Sequence, residues 1–140
     1  MSLQMDAAEL MEFLDEIFPQ VRDDFEVDNL SVSEISMRLC VREKHLRPGG
    51  TVSGPSMFAL ADCAAYAMVL ARIGREALAV TTNCSIDFMR KPSAGADLIG
   101  TCKLLKLGRS LAVCDILIHS VGQDAPVARA NMTYSIPPKR

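Results

Sequence analysis

A single carboxylate, Asp62, lies within an apolar stretch of the chain that runs from Met57 to Ile73. A buried acid must be neutral, paired or functional, because removing its charge from water is costly. The segment in front of it, GGTVSGP at residues 49–55, predicts a shaped loop at a helix start, where free N–H groups and the helix dipole favour an anionic group. A carboxylate next to a backbone donor such as the N–H of Gly54 suits the activation of water for attack on a carbonyl carbon.

Other kinds of catalytic site find little support in the residues. The loop matches neither GxxxxGK[ST] nor GxGxxG, so it lacks the signatures of the common nucleotide-binding loops. SGPSM is not a G-x-S-x-G nucleophile elbow, and neither Ser53 nor Ser56 has a usable histidine near it in the sequence. We expect His45 to be a solvated or capping loop residue and His119 to be structural, which leaves no convincing zinc site and no metal.

The composition excludes several classes of protein. The net charge of -2 and the isoelectric point near 5.6 provide no basic surface for nucleic acid. Five cysteines without a CxxC pair, each in an apolar or alternating run, indicate reduced, buried thiols and a cytoplasmic location. The first residues, MSLQMDAAEL, lack the features of a signal peptide, and Asp62 and Arg72 interrupt the longest apolar run, so we expect no membrane association.

The elements that must position Asp62 begin with a helix, a strand and a second helix. Leu10, Phe13, Leu14 and Ile17 have helical spacing within residues 6–18, which predicts a short amphipathic helix. Alternation over residues 33–43 predicts a half-buried strand.

A long helix should run from Pro55 to Ile73, with Ser53 as its N-cap and Gly74 at its end. Its small residues lie nearly all round, so we expect it to be buried on most sides. Asp62 would lie about two turns into this helix, close enough to share a pocket with Gly54.

Four further segments have the character of strands, at residues 77–89, 98–107, 110–120 and 127–136. Gly108 and Arg109 predict a tight hairpin between the second and third of them. The most economical arrangement is an α+β fold in which an antiparallel sheet curls around the long helix and buries it. We expect residues 1–30 to form an N-terminal helix and connection, and residues 31–140 to form a single domain. The open edges of such a sheet favour pairing with a second copy.

The segment GxxSGPxxxxLAD, followed by SIDFMRKP, resembles a known family. It is similar to the GxxHGGxxxxLAD and TIDFLRP patterns of the hot-dog fold acyl-CoA thioesterases, specifically the PaaI-like group of the 4-hydroxybenzoyl-CoA thioesterase superfamily. The similarity in element order runs from Ile35 to Ser135, with the N-terminal helix as an addition. The resemblance implies a hot-dog fold and hydrolysis of an acyl-CoA thioester, with coenzyme A as part of the substrate and no other cofactor.

The resemblance also implies roles for individual residues. Asp62 would act as base or nucleophile toward the thioester, and the N–H of Gly54 would bind its carbonyl oxygen. The family's active site forms between two subunits, so we expect a homodimer or a homotetramer built as a dimer of dimers. Among Thr81, Thr82 and Asn83, which would come from the partner's second strand, we prefer Thr82 as the residue that orients water.

The departures from the family pattern lie at the ligand-binding positions. Ser53 replaces a histidine, Pro55 a second glycine and Arg47 a common asparagine. Arg47 would either replace the missing donor or bind an acidic acyl group or a phosphate. Cations after the second strand and in the hairpin, at Arg90, Lys91 and Arg109, are candidates for binding the coenzyme A phosphates.

The departures leave two other functions open. A hot-dog protein that binds acyl-CoA without hydrolysing it would account for the missing histidine and asparagine. A hydratase or dehydratase is disfavoured, because such chemistry usually needs a catalytic histidine near the helix start. Asp87 recurs in the family pattern, but we interpret it as a polar anchor on the strand.

Overall fold

Six antiparallel strands and one long helix form the body of the protein. A computed structural model describes residues 2–138. Its helices and strands are α1 (Ala7–Ile17), β1 (Phe25–Leu30), β2 (Glu34–Leu39), α2 (Gly54–Ile73), β3 (Val80–Phe88), β4 (Leu98–Leu107), β5 (Leu111–Ser120) and β6 (Ala128–Ser135), with short 3-10 turns at Pro19–Val21 and Glu43–His45.

The strands lie in the order β1-β2-β4-β5-β6-β3, and every neighbouring pair is antiparallel. The sheet packs around α2, which contacts all of its strands from β2 to β6. The predicted hairpin between β4 and β5 is present, with the N–H of Gly108 donating to the carbonyl of Leu111 at 2.8 Å. The predicted hot-dog arrangement, a sheet wrapped around one central helix with an added N-terminal helix, is confirmed.

The central helix α2 begins and ends where the sequence predicts. Ser53 caps it, its side chain accepting from the N–H of Ser56, and Gly74 follows the last turn with a φ of 94° that favours glycine. The residues buried on α2 lie on nearly all of its sides because the sheet curves around it. By length and hydropathy alone α2 would suffice to cross a bilayer, but its apolar character is explained by its place in the core.

The N-terminal helix α1 is a separate amphipathic element that covers part of the core. Asp6 and Glu9 form a capping box at its start, and Pro19 follows its end. Leu10 and Phe13 are its buried residues, and they belong to the same hydrophobic core as α2. This packing places the C-terminal end of α1 beside the middle of α2.

The strand β1 was not predicted, and it lies in the segment interpreted as a connection. It pairs antiparallel with β2, but a bulge between Val27 and Asn29 shifts the register. The segment FEVDNL therefore lacks the regular alternation by which strands are recognised. The prediction that all cysteines are buried holds for Cys102 and Cys114, but Cys40 and Cys63 are partly exposed and Cys84 lies exposed on the edge strand β3.

A glycine in β4 allows the sheet to approach α2 closely. A Cβ atom at Gly100 would lie 3.1 Å from Cγ of Leu60, a side chain that is fully buried. We expect Gly100→Val to lower the free energy of unfolding by about 1–3 kcal/mol through overpacking. Urea denaturation measures the loss, with Lys103→Val on the exposed face of the same strand as control. Equal stabilities of the two variants would contradict this account of Gly100.

Candidate active site

Asp62 is held by two hydroxyl donors from neighbouring strands. Its Oδ1 atom accepts hydrogen bonds from the Tyr134 hydroxyl at 2.6 Å and from Thr81 Oγ1 at 2.8 Å. The Tyr134 hydroxyl also lies 3.1 Å from the backbone carbonyl of Asp62. Among residues 2–138, no hydrogen bond or ion pair engages Oδ2. The acid on the apolar helix is thus oriented through one oxygen, while the other has no partner within the described chain.

The donors around Asp62 are neutral groups. Burial, and next the charge of Asp62, raise the pKa of Tyr134, whose side chain is 2% exposed. The ring of Tyr66 stacks on that of Tyr134 with centroids 5.9 Å apart, and the Tyr66 hydroxyl donates to the carbonyl of Ala77 at 2.6 Å. Burial raises the pKa of Tyr66 as well, so both phenols keep their protons at neutral pH.

A bulge in β3 decides which threonine reaches Asp62. The pairing with β6 shifts between Thr81 and Asn83, so that Thr81 pairs with Tyr134 and Thr82 is the extra residue. Thr82, which the sequence predicts to orient water in the site of a partner subunit, donates to the carbonyl of Thr133 at 3.3 Å in its own chain. If side chains alternated regularly along β3 from Ile86, the side chain of Thr82 would face the helix. Because the bulge shifts the alternation by one residue, the side chain of Thr81 faces the helix instead. Asn83 is exposed on the same edge strand.

Asp62 lines a groove, here called the acid groove, of about 250 Å³. It lies between the end of α1, the middle of α2 and the start of β3. Besides Asp62, Thr81 and Tyr134, its lining consists of Ile17, Phe18, Cys63, Tyr66, Ala79 and Val80.

A second groove, here called the cationic groove, lies at the N-terminus of α2 and has a volume of about 430 Å³. Gly54, Arg47, Arg90 and Lys91 all line it. Gly54 is the first residue of α2, so its N–H belongs to the donors that the helix itself leaves free, and no partner for it occurs among residues 2–138. The ring of Phe88 lies against Gly54, where an added Cβ would be 3.4 Å from Cζ. This groove therefore combines a free backbone donor with three cations.

The loop that leads into α2 is anchored by the buried carboxylate of Asp24. Asp24 Oδ1 lies 2.9 Å from Arg42 Nη1 and 2.8 Å from Lys44 Nζ. His45 is buried beside it, and this burial lowers the pKa of the imidazole. Its Nδ1 accepts from the N–H of Arg42 at 2.9 Å, while its carbonyl accepts from the N–H of Ser53 at 2.8 Å. His45 is thus a buried capping residue that fixes the entry to α2.

The structure brings most of the predicted site residues into two groups. Gly54, Arg47, Arg90 and Lys91 line the cationic groove, whereas Asp62 lies in the acid groove. The expected common pocket of Asp62 and Gly54 is not formed within one chain.

The remaining candidates line neither groove. Ser53 uses its hydroxyl to cap α2, and Arg109 lines a cavity beside Arg72 near the other end of this helix. Asp87 pairs with Arg129 at 2.9 Å on the surface, in keeping with a polar anchor. Within residues 2–138, no cluster of three or more metal-ligating side chains occurs.

Comparison with known proteins gives one family and several similar folds. The model of the thioesterase superfamily matches residues 49–127. A protein assigned as a thioesterase from Silicibacter sp. TM1040 is 64% identical, with 99% of this chain and 96% of that chain covered and a TM-score of 0.93. No curated protein matched the chain.

Two less similar structures have the same fold. A point variant of the phenylacetic acid degradation protein PaaI from Thermus thermophilus is 28% identical, with 85% of this chain and 99% of that chain covered and a TM-score of 0.73. A thioesterase protein with coenzyme A from Streptococcus pneumoniae is 18% identical, with 93% of this chain and 98% of that chain covered and a TM-score of 0.78.

The hydroxyl of Tyr134 should stabilise the fold more than that of Tyr66, because its acceptor is a carboxylate. We expect Tyr134→Phe to cost about 2 kcal/mol of unfolding free energy and Tyr66→Phe about 1 kcal/mol, since the latter donates to a neutral carbonyl. Chemical denaturation of both variants at pH 7 measures the difference. If Tyr134→Phe loses no more unfolding free energy than Tyr66→Phe, the bond to Asp62 adds nothing beyond an ordinary hydrogen bond.

Proposed function

The chain belongs to the thioesterase superfamily, and we propose that it hydrolyses acyl-CoA thioesters with Asp62 as the general base. The observation that carries the proposal is the arrangement of Asp62, with Oδ1 held by Thr81 and Tyr134 and Oδ2 without a partner in the described chain. A carboxylate fixed in this way presents one oxygen to a water molecule in a defined direction. General-base catalysis requires such positioning before it requires any particular pKa.

The proposed reaction is a direct attack of water on the thioester. Asp62 Oδ2 accepts a proton as the water oxygen bonds to the carbonyl carbon. The carbon–sulfur bond then breaks, and the proton passes to the departing thiolate, giving a carboxylic acid and the free thiol. We assign the orientation of Asp62 to Thr81, since Thr81 contacts it within the chain, and Thr82 of a partner subunit stays the residue predicted to orient the water.

The cationic groove is the proposed binding site for the thioester oxygen and for coenzyme A. The free N–H of Gly54 at the start of α2 suits the negative charge that develops on the carbonyl oxygen. Arg47, Arg90 and Lys91 line the same groove and suit the phosphates of coenzyme A. The S. pneumoniae protein of similar fold contains coenzyme A, which is consistent with this ligand class.

The two grooves would combine if β3 paired with β3 of a second copy. β3 is an edge strand, and Val80, Phe88 and the adjoining Met89 are half-exposed apolar residues on it. Thr81 near one end of β3 borders the acid groove, and Phe88 at the other end borders the cationic groove.

A two-fold, antiparallel pairing of β3 reverses its direction in the second copy. The Val80 end of one strand would then lie beside the Phe88 end of the other, provided that the pairing is centred near Cys84. This places the acid groove of one chain against the cationic groove of its partner. We therefore propose a homodimer with two composite sites. The same homodimer would be the building block of a homotetramer formed as a dimer of dimers.

Hydrolysis of short, medium, long and aryl acyl-CoA compounds tests the proposed chemistry. We expect Asp62→Asn to fold and to lose about 10²–10⁴-fold in kcat, because an amide cannot accept the proton of water. Thiol release measures kcat, and calorimetry measures ligand binding. If the wild type binds these esters without hydrolysing any of them, the protein is an acyl-CoA-binding module and the proposed reaction is wrong.

Mixed dimers test whether Asp62 and Gly54 act from different chains. Gly54→Pro removes the N–H at the first helical position, where proline is tolerated, while Gly54→Ala retains it and serves as control. A heterodimer of Asp62→Asn with Gly54→Pro contains one intact composite site, so we expect about half of the wild-type activity. Differently tagged chains allow this heterodimer to be purified and assayed. If it is as inactive as each parent, the two residues act within one chain.

A further inference from the structure

A chain of contacts runs from the segment between α1 and β1 to the N-terminus of α2. It begins at Asp24, whose carboxylate is buried in that segment and pairs with Arg42 and Lys44. The imidazole of His45 is the next group, with Nε2 at 3.9 Å from Asp24 Oδ2. These contacts hold the 3-10 turn that contains His45 against the N-terminal part of the protein.

His45 connects this turn to the first residues of α2 through two hydrogen bonds. Its Nδ1 accepts from the N–H of Arg42 at 2.9 Å, and its carbonyl accepts from the N–H of Ser53 at 2.8 Å. Ser53 is the N-cap of α2, and the next residue is Gly54, whose N–H is the proposed donor to the thioester oxygen. A displacement of His45 therefore reaches that donor through a single intervening residue.

The bond between His45 and the N–H of Arg42 requires a neutral imidazole. A neutral ring has one nitrogen that accepts, whereas both nitrogens of an imidazolium donate. A proton on Nδ1 would point at the N–H of Arg42, and the bond would be lost. Burial is the largest influence on the pKa of His45 and lowers it; among the charged groups around the ring, Asp24 raises this pKa, and Lys44 and Arg42 lower it.

We propose that His45 is a positioning residue for the reaction, holding the N–H of Gly54 in place while its imidazole is neutral and releasing this donor when it is protonated. This inference rests on the proposed function, because the position of the donor affects turnover only if a thioester carbonyl lies beside it. It makes turnover sensitive to acid through a residue that lines neither groove. It also gives the segment between α1 and β1 a part in holding the site, through Asp24.

The pH dependence of kcat tests this role. We expect kcat of the wild type to fall about 10-fold as His45 becomes protonated, because a displaced donor stabilises the transition state less. In His45→Asn the amide oxygen can accept from the N–H of Arg42 without titrating, so kcat near neutral pH should be kept and this loss should disappear. Protonation of the base Asp62 lowers kcat in both proteins alike, so the difference between their curves reports His45.

His119→Asn is the matched control for the pH profile. His45 and His119 are the two histidines of the chain, and histidine is the side chain that ordinarily titrates between pH 5 and 8. His119 is half-buried on β5 and lines neither groove, so its variant should keep the wild-type curve. Identical curves for the wild type and His45→Asn would overturn the proposal and leave the thioesterase function intact.

His45→Phe tests the hydrogen bond itself. The phenyl ring occupies a similar volume but cannot accept from the N–H of Arg42, so we expect kcat to be about 10–100-fold lower than in the wild type near neutral pH. A folded His45→Phe protein with wild-type kcat would show that the bond does not position the donor.

The amide signal of Gly54 tests the positioning without any turnover. In NMR spectra of the isotope-labelled protein, we expect this signal to shift with pH at the midpoint of the His45 imidazole, and the shift to be absent from His45→Asn. A Gly54 signal that does not follow His45 would overturn the proposal even in an active enzyme. Absence of turnover with every thioester would instead refute the underlying function, and the Gly54 signal would then decide the coupling to His45 by itself.

Discussion

The burial of one apolar helix is the constraint on which this structure depends. A 20-residue helix is about 30 Å long, and α2 is apolar on nearly all sides, so no flat sheet could cover it. The sheet must curve, and α2 keeps half-buried residues, among them Asp62 and Tyr66, on the side where the edge strand β3 borders the acid groove. Asp62 lies on that side of the helix. The position of the carboxylate is therefore tied to the incomplete closure of the sheet.

The same constraint explains why the polar groups of the site are so few. Asp62 lies on a helix whose buried residues are all apolar core residues. The two hydroxyls that bond to it come from β3 and β6, the strands that border the acid groove. Tyr134 is almost fully buried and neutral, so it donates a hydrogen bond without adding a competing charge. A single acid is thereby oriented at low cost in a largely apolar environment.

The separation of the two grooves organises the proposed chemistry. Gly54 and Asp62 lie on the same helix, yet they face grooves of opposite charge in one chain. Coupling them through the edge strand β3 would join anion-binding groups from one chain to the base of another. The end of the N-terminal helix borders the groove that contains Asp62 and not the one that contains the cations.

The sequence by itself determined the principal elements and the acid on which the proposed function depends. Helix signals at Ser53, Pro55 and Gly74 depend on local backbone geometry, and a lone acid in an apolar helix is conspicuous through the cost of burying it. Only the tertiary structure decided the partners of that acid. Tyr134 is 72 residues from Asp62 in the chain, and the choice of Thr81 over Thr82 depends on a one-residue bulge that no local pattern encodes. Side-chain types and helical spacing are local properties, whereas strand register and the contact of α1 with the acid groove arise only when distant segments pack together.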